Sequence, residues 1–160
     1  MIFWRLEYSK HLEDSLSGEG ARRHGGRWNE KDTPTVYVSS TLSLAALEKF
    51  VHAQPMAREL TLHAIAVDIP DESVRQARRP EPLPVGWNQP EPRVDTMNWG
   101  SQWAAAKTSL AGIVPSVLLP AYFFEKALEF NLILNPEHPD MKQVRIVNRL
   151  NYSFDPRLWK

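Results

Sequence analysis

Gly25-Gly26-Arg27-Trp28-Asn29 concentrates more recognisable chemistry than any other stretch of this 160-residue chain. Paired glycines let a backbone approach a bound molecule closely, and a guanidinium there offers a planar fork that matches phosphate oxygens. The same five residues also make an ordinary β-turn with a surface arginine lying on Trp28, and local physics alone leans toward that turn. Glu48 is the second candidate. Helical spacing sets it over Leu44 and beside Val51, at the margin of an apolar stripe. Desolvation there raises a carboxyl pKa and suits the group to act as a base or an electrostatic stabiliser. Tyr37 points away from its neighbours Val36 and Val38, and its ordinary reading is core packing with the hydroxyl at a boundary. Ser116 interrupts an apolar run after Pro115, as either a satisfied polar spot or a ligand contact. Asn131 and the Asn135–Asp140 turn form a polar strand end, where His138 reads as a structural hydrogen-bonder.

Several familiar devices are absent from the sequence. The glycines lack the Gly-Lys-Ser/Thr ending of a phosphate loop and the spacing of a dinucleotide fingerprint. There is no Gly-x-Ser-x-Gly elbow and no His-Glu-x-x-His helix. The chain has no cysteine, and its 5 histidines are dispersed, so neither thiol catalysis nor a metal site is expected. Lys plus Arg (19) balance Asp plus Glu (19) along the whole length, which argues against nucleic acid as the principal ligand. A net charge of zero carries a solubility penalty and hints at a chain that works beside a partner. Neither a signal-like opening nor a run of membrane-spanning length is found, so a cytoplasmic location and no membrane contact are expected.

The elements that must position these residues read as an α+β single domain. Strands are predicted over Ile2–Tyr8, Thr35–Ser39, Leu60–Val67, Ile113–Leu119, Phe130–Leu134 and Val144–Val147. A glycine-marked loop follows the first strand. The hydroxyls of Ser39-Ser40-Thr41 suit a cap for a helix over Leu42–Ala53, with Leu47, Phe50 and Val51 as its apolar stripe. Pro70, Pro80, Pro82, Pro84, Pro90 and Pro92 crowd a loop with at most one short helix near Glu72–Arg78, and Trp99–Leu110 reads as a helix.

Taken in order, Trp4-Arg5, Gly26-Arg27-Trp28-Asn29, Val36-Tyr37, Ala45-Ala46-Leu47-Glu48, Val114-Pro115-Ser116, Asn131 through Asp140 and Phe154-Asp155-Pro156-Arg157-Leu158 resemble the RES domain family. This is the toxin component of bacterial RES–Xre toxin–antitoxin pairs. The resemblance spans nearly the whole chain, so residues 1–160 are expected to form one RES domain. It implies an ADP-ribosyltransferase-like fold, with two small mixed or antiparallel sheets around an NAD-binding cleft. It implies an enzyme that consumes NAD+ as substrate, by hydrolysis or phosphorolysis, with no further cofactor. Arg5 and Arg27 would meet the phosphates, Tyr37 the nicotinamide, and Glu48 would be the catalytic carboxylate. Ser116 and Asn131 would line the cleft, and an Xre-type helix-turn-helix antitoxin would be the protein partner.

One departure from the family pattern is an extra segment, Ala121–Leu128, between Pro120 and Glu129-Phe130-Asn131. Its composition favours a short core-packing helix over an exposed partner-binding patch. The bond chemistry fits: cleaving nicotinamide from ribose passes through an oxocarbenium-like state that a carboxylate stabilises, and nicotinamide leaves without a metal. Two alternatives remain open at this level. One is transfer of ADP-ribose to a protein, and the other is a non-catalytic binding module that kept the fold.

Overall fold

A computed structural model describes residues 1–53 and 61–159. The strands are β1 (Ile2–Tyr8), β2 (Val36–Ser39), β3 (Leu62–Asp68), β4 (Ala111–Val114), β5 (Asn131–Leu134) and β6 (Arg145–Tyr152). The helices are α1 (Glu19–His24), α2 (Leu42–Ala53), α3 (Asp71–Arg75), α4 (Val94–Ala106) and α5 (Ala121–Glu125). In place of the two small sheets expected, the strands form two three-stranded antiparallel sets, β4-β5-β2 and β1-β3-β6. Because β1 also pairs with β2, these join into one six-stranded sheet of order β4-β5-β2-β1-β3-β6. The seam between them is held in register by one pair, Trp4 opposite Ser39, whereas β1 and β3 stay paired from Ile2–Asp68 to Tyr8–Leu62.

Alternation along the strands sorts side chains into separate cores. Phe3, Val36, Val38, Ile65, Val67, Leu132 and Leu134 pack into one cluster. Leu6, Ala45, Ala46, Leu62 and Ala64 form another beneath α2. Trp28, Trp103, Ala104, Val114 and Ile133 form a third, against which Tyr37, Leu83, Trp87 and Trp99 lean. Tyr37 is thus on the face opposite Val36 and Val38, as their alternation predicts.

Helix α2 begins as expected, with the Thr41 hydroxyl accepting the Leu44 N–H at 3.1 Å. Its inward stripe differs from the predicted one. Leu47 and Val51 are 41% and 50% exposed, while Ala45 and Ala46 face β1. Small side chains let the helix sit close to the sheet, and the inward row Leu42-Ala45-Ala46 ends at Lys49, a residue that reads as surface in any hydropathy pattern.

Other boundaries move for local reasons. The glycine-marked loop contains α1, entered through Gly18 in the left-handed conformation (φ 72°) and supported by Glu19 ion pairs to Arg22 and Arg23. Helix α4 starts at Val94, five residues before the expected Trp99. It ends at Ala106, where Lys107 adopts a left-handed cap (φ 49°) and Asn135 Nδ2 donates to the Ala104 carbonyl at 2.8 Å. Pairing with β3 extends β6 to 8 residues. Strand β4 stops at Val114, and the expected start of β3 at Leu60 lies outside the described residues. The extra segment forms α5, which buries Phe124 under the Arg79 guanidinium 4.4 Å from its ring and leaves Tyr122 exposed. No described helix is long and apolar enough to cross a membrane.

Candidate active site

Glu48 sits midway along α2, one turn beyond buried Leu44, with its side chain 25% exposed. Asn131, the first residue of β5, donates its amide to Glu48 Oε1 at 2.5 Å. The orientation of that amide is set by Ser39, whose hydroxyl donates to Asn131 Oδ1 at 2.8 Å across the register pair Ser39–Asn131. A strand pair and a helix thus converge on one carboxylate oxygen, and the donor is supplied by a neutral group that cannot take the charge away. His52 Nε2 lies 3.9 Å from the other oxygen, one helical turn on, and pairs with it only when protonated.

Tyr37 is held by its hydroxyl. It accepts the Trp28 N–H at 3.0 Å and donates to Asn29 Oδ1 at 2.8 Å. Asn29 in turn donates to the carbonyls of Ala21, Glu30 and Thr33. Burial pushes the phenol well above its ordinary range, and the Trp28 N–H and Arg27 charge offset only part of this. The hydroxyl is therefore a structural strut, and the half-buried ring is the part free to face a ligand. Gly26 is obligatory in this turn, since a Cβ there would come within 2.8 Å of the Tyr37 hydroxyl and 2.7 Å of Asn29 Oδ1. Helix α4 closes the turn from the other side: Gly100 packs against Trp28 so tightly that a Cβ would lie 1.7 Å from its carbonyl oxygen.

Arg27 leaves the same turn and crosses to the proline-rich loop. Nη2 donates to the Pro90 carbonyl at 2.6 Å, and Nη1 to those of Trp87 at 3.1 Å and Glu91 at 3.5 Å. Desolvation lowers its pKa, opposed by the charges of Glu48, Tyr37 and Glu91. The charge of Glu48 thus favours the protonated Arg27 guanidinium. Arg5 occupies the seam of the sheet, where Nη1 donates to the Tyr37 carbonyl at 3.0 Å and Nη2 meets Glu7 Oε2 at 2.6 Å. Both arginines keep unused N–H donors, and both bear on Tyr37, Arg5 through a hydrogen bond to its carbonyl and Arg27 through its charge.

Ser116 is tied to this set through the strands rather than by a hydrogen bond. It follows β4 two residues beyond Val114, the partner of Asn131, and is buried. Its hydroxyl accepts the Leu118 N–H at 3.1 Å in a local turn. His138 behaves as the sequence suggests, its Nδ1 accepting the Asp140 N–H at 3.1 Å. Three contributors escaped sequence reasoning. Ser39 is legible only as part of a capping cluster, Glu7 only as a polar position in a strand, and the Arg27 acceptors are backbone carbonyls, which carry no side-chain signal. Among the described residues, no group of three or more His, Cys, Asp or Glu could hold a metal ion.

The same α+β fold is found in a chain from the crystal structure of the M. tuberculosis MbcT–MbcA toxin–antitoxin complex. That chain superimposes with a TM-score of 0.68 at 18% identity, covering 99% of this chain and 86% of its own. At this identity the likeness speaks to the fold. Sequence similarity goes further, because residues 2–155 match the RES domain family. The "Prs ADP-ribosylating toxin" of Sphingobium sp. (strain YBL2) is 37% identical over 161 residues, covering 98% of this chain and 95% of the relative. "Toxin Res" of Photorhabdus laumondii is also 37% identical, over 100% of this chain and 98% of its own, and "Toxin Res" of Yersinia enterocolitica is 33% identical over 99% of each. The chain belongs to the RES domain family.

Proposed function

We propose that this chain is a toxin that cleaves the nicotinamide–ribose bond of NAD+, arrests growth by doing so, and is neutralised by an Xre-type antitoxin. The observation that carries this reading is the carboxylate of Glu48 on α2, held against β5 by the Asn131 amide that Ser39 orients. Departure of neutral nicotinamide leaves positive charge on the ribose C1′ and ring oxygen. A carboxylate fixed before the reaction stabilises that charge without reorganising. Arg27 and Arg5 supply N–H forks for the pyrophosphate, and the Tyr37 ring forms a wall for the nicotinamide. With water as acceptor the products are nicotinamide, ADP-ribose and a proton. With inorganic phosphate they are nicotinamide and ADP-ribose 1″-phosphate.

A second reading has a specific observation in its favour: one relative is named as an ADP-ribosylating toxin. Transfer to a protein uses the same bond cleavage, with a protein nucleophile in place of water, and the chemistry assigned to Glu48, Arg27, Arg5 and Tyr37 is unchanged. Incubating the purified chain with NAD+ labelled in the adenylate half, with and without a cell lysate, separates the readings. Label in free ADP-ribose supports solvent as acceptor, and label on a protein band supports transfer. Label remaining wholly in NAD+ in both arms excludes both. Reversal of growth arrest by a co-expressed Xre-type protein tests the partner.

A further inference from the structure

The buried charges at the sheet seam carry an inference about how the pyrophosphate end of the cleft is built, and it rests on the NAD+ reading above. Past the Trp4–Ser39 pair the two half-sheets separate, and the Arg5 guanidinium bridges the gap to the Tyr37 carbonyl. Glu7, two residues along β1, is only 6% exposed, an unusual place for a carboxylate. It receives Arg5 Nη2 at 2.6 Å and Nε at 3.2 Å on one oxygen, and the Tyr8 N–H at 3.1 Å and Lys49 Nζ at 3.4 Å on the other. Lys49 ends the inward row of α2, next to Glu48, and lies 4.0 Å over the Tyr8 ring. One buried anion therefore ties β1 to the catalytic helix and braces Arg5. Of five guanidinium N–H groups, two go to Glu7 and one to the Tyr37 carbonyl, leaving one on each Nη.

We infer that Glu7 is a positioning residue that fixes the free Nη edge of Arg5 for the substrate pyrophosphate. Burial pushes the Glu7 carboxyl up, but the charges of Arg5 and Lys49 and the hydrogen bonds from Arg5 and Tyr8 outweigh it and hold it below the usual range. The anion is thus present at neutral pH. Two cations against one anion leave the cluster with a net positive charge, suited to a diphosphate. Removing Glu7 frees Arg5 to swing and sets it against Lys49, so the loss falls on anion binding first.

The test is ADP-ribose binding by calorimetry, with thermal unfolding as a check on folding, for wild type, Glu7→Gln, Glu7→Asp, Arg5→Ala and the Glu7→Gln/Arg5→Ala double variant. Glu7→Gln should weaken binding about 10- to 100-fold, Glu7→Asp should recover most of it, and the double variant should bind no worse than Arg5→Ala alone. In NAD+ turnover the Glu7→Gln effect should fall on KM, with kcat changed less than about threefold. Unchanged binding in Glu7→Gln, or additive losses in the double variant, would overturn the inference. A wild type that binds ADP-ribose but releases no nicotinamide contradicts the cleavage reading while leaving this test intact. A wild type that binds no ADP-ribose overturns the pyrophosphate role of Glu7. Because Glu7→Gln removes a buried charge partner and can fail to fold, Glu7→Asp then decides. A folded Glu7→Asp that binds a few-fold more weakly than wild type, with that loss abolished in the Arg5→Ala background, supports the role, and one that binds as wild type does, or whose loss persists beside Arg5→Ala, refutes it.

Discussion

Replacing Asn131 by Asp changes the donor that holds Glu48 into a second carboxylate with almost no change in volume. The mutated atom would face Glu48 Oε1 from 2.5 Å. Two unit charges at that separation repel by about 6–7 kcal/mol at an effective dielectric constant near 20, and by about 4 kcal/mol if they relax to 4 Å. Either figure exceeds what the local structure can absorb, so the pair keeps one proton at neutral pH and titrates as a dyad. The Ser39 hydroxyl still donates to the new carboxylate and holds it in place. Nicotinamide release by Asn131→Asp, followed from pH 5 to 9, should fall about 100-fold at pH 7, with its acid limb displaced upward by about 1–3 units. Asn131→Ala removes one charge-assisted hydrogen bond worth about 1.5–3 kcal/mol, a loss of roughly 10- to 150-fold, without that upward displacement. Wild-type rate and pH profile in Asn131→Asp would refute the role given to the Asn131–Glu48 contact.

Gly100→Ala should be among the most disruptive single substitutions. Its Cβ would sit 1.7 Å from the Trp28 carbonyl oxygen, and chemical denaturation should show a loss above about 3 kcal/mol or no folded protein. Tyr37→Phe leaves the Trp28 N–H and Asn29 Oδ1 without their shared partner, which predicts a loss of about 1–3 kcal/mol in the same assay and a raised KM for NAD+. The depressed Glu7 carboxyl contributes stability that is complete above its ordinary value of 4.5 and is lost as pH falls through the folded value. Glu7→Gln should therefore be less stable than wild type by about 3–5 kcal/mol near pH 7, with the two curves converging as pH falls below the ordinary carboxylate range in pH-dependent denaturation.

Patterns with a local cause were legible in the sequence. Alternating, β-branched and short apolar runs marked the six strands in order, and the Ser39-Ser40-Thr41 cluster marked the start of α2 because capping needs only a hydroxyl three residues ahead of an N–H. Opposite orientations for Val36 and Tyr37 follow from the pleat alone. What stayed hidden depends on tertiary contact. Lys49 looks like a surface residue until a buried carboxylate appears opposite it, and Leu47 with Val51 imitates a core stripe because hydropathy cannot say which face of α2 meets the sheet. The Asn131–Glu48 contact joins positions 83 residues apart, beyond the reach of any local rule. Arg27 is anchored by the carbonyls of Trp87, Pro90 and Glu91, whose chemistry every residue shares. Ser116, prominent as a family residue, holds a local turn with its hydroxyl.

The most direct test of the proposed activity is nicotinamide release from NAD+ by the wild-type chain beside Glu48→Gln, assayed in water, with phosphate and with lysate protein. Wild type should release nicotinamide in at least one of these, and Glu48→Gln, folded to the same thermal midpoint, should be slower by about 100-fold or more. Intact NAD+ in all three with wild type, or undiminished release by Glu48→Gln, would contradict the account.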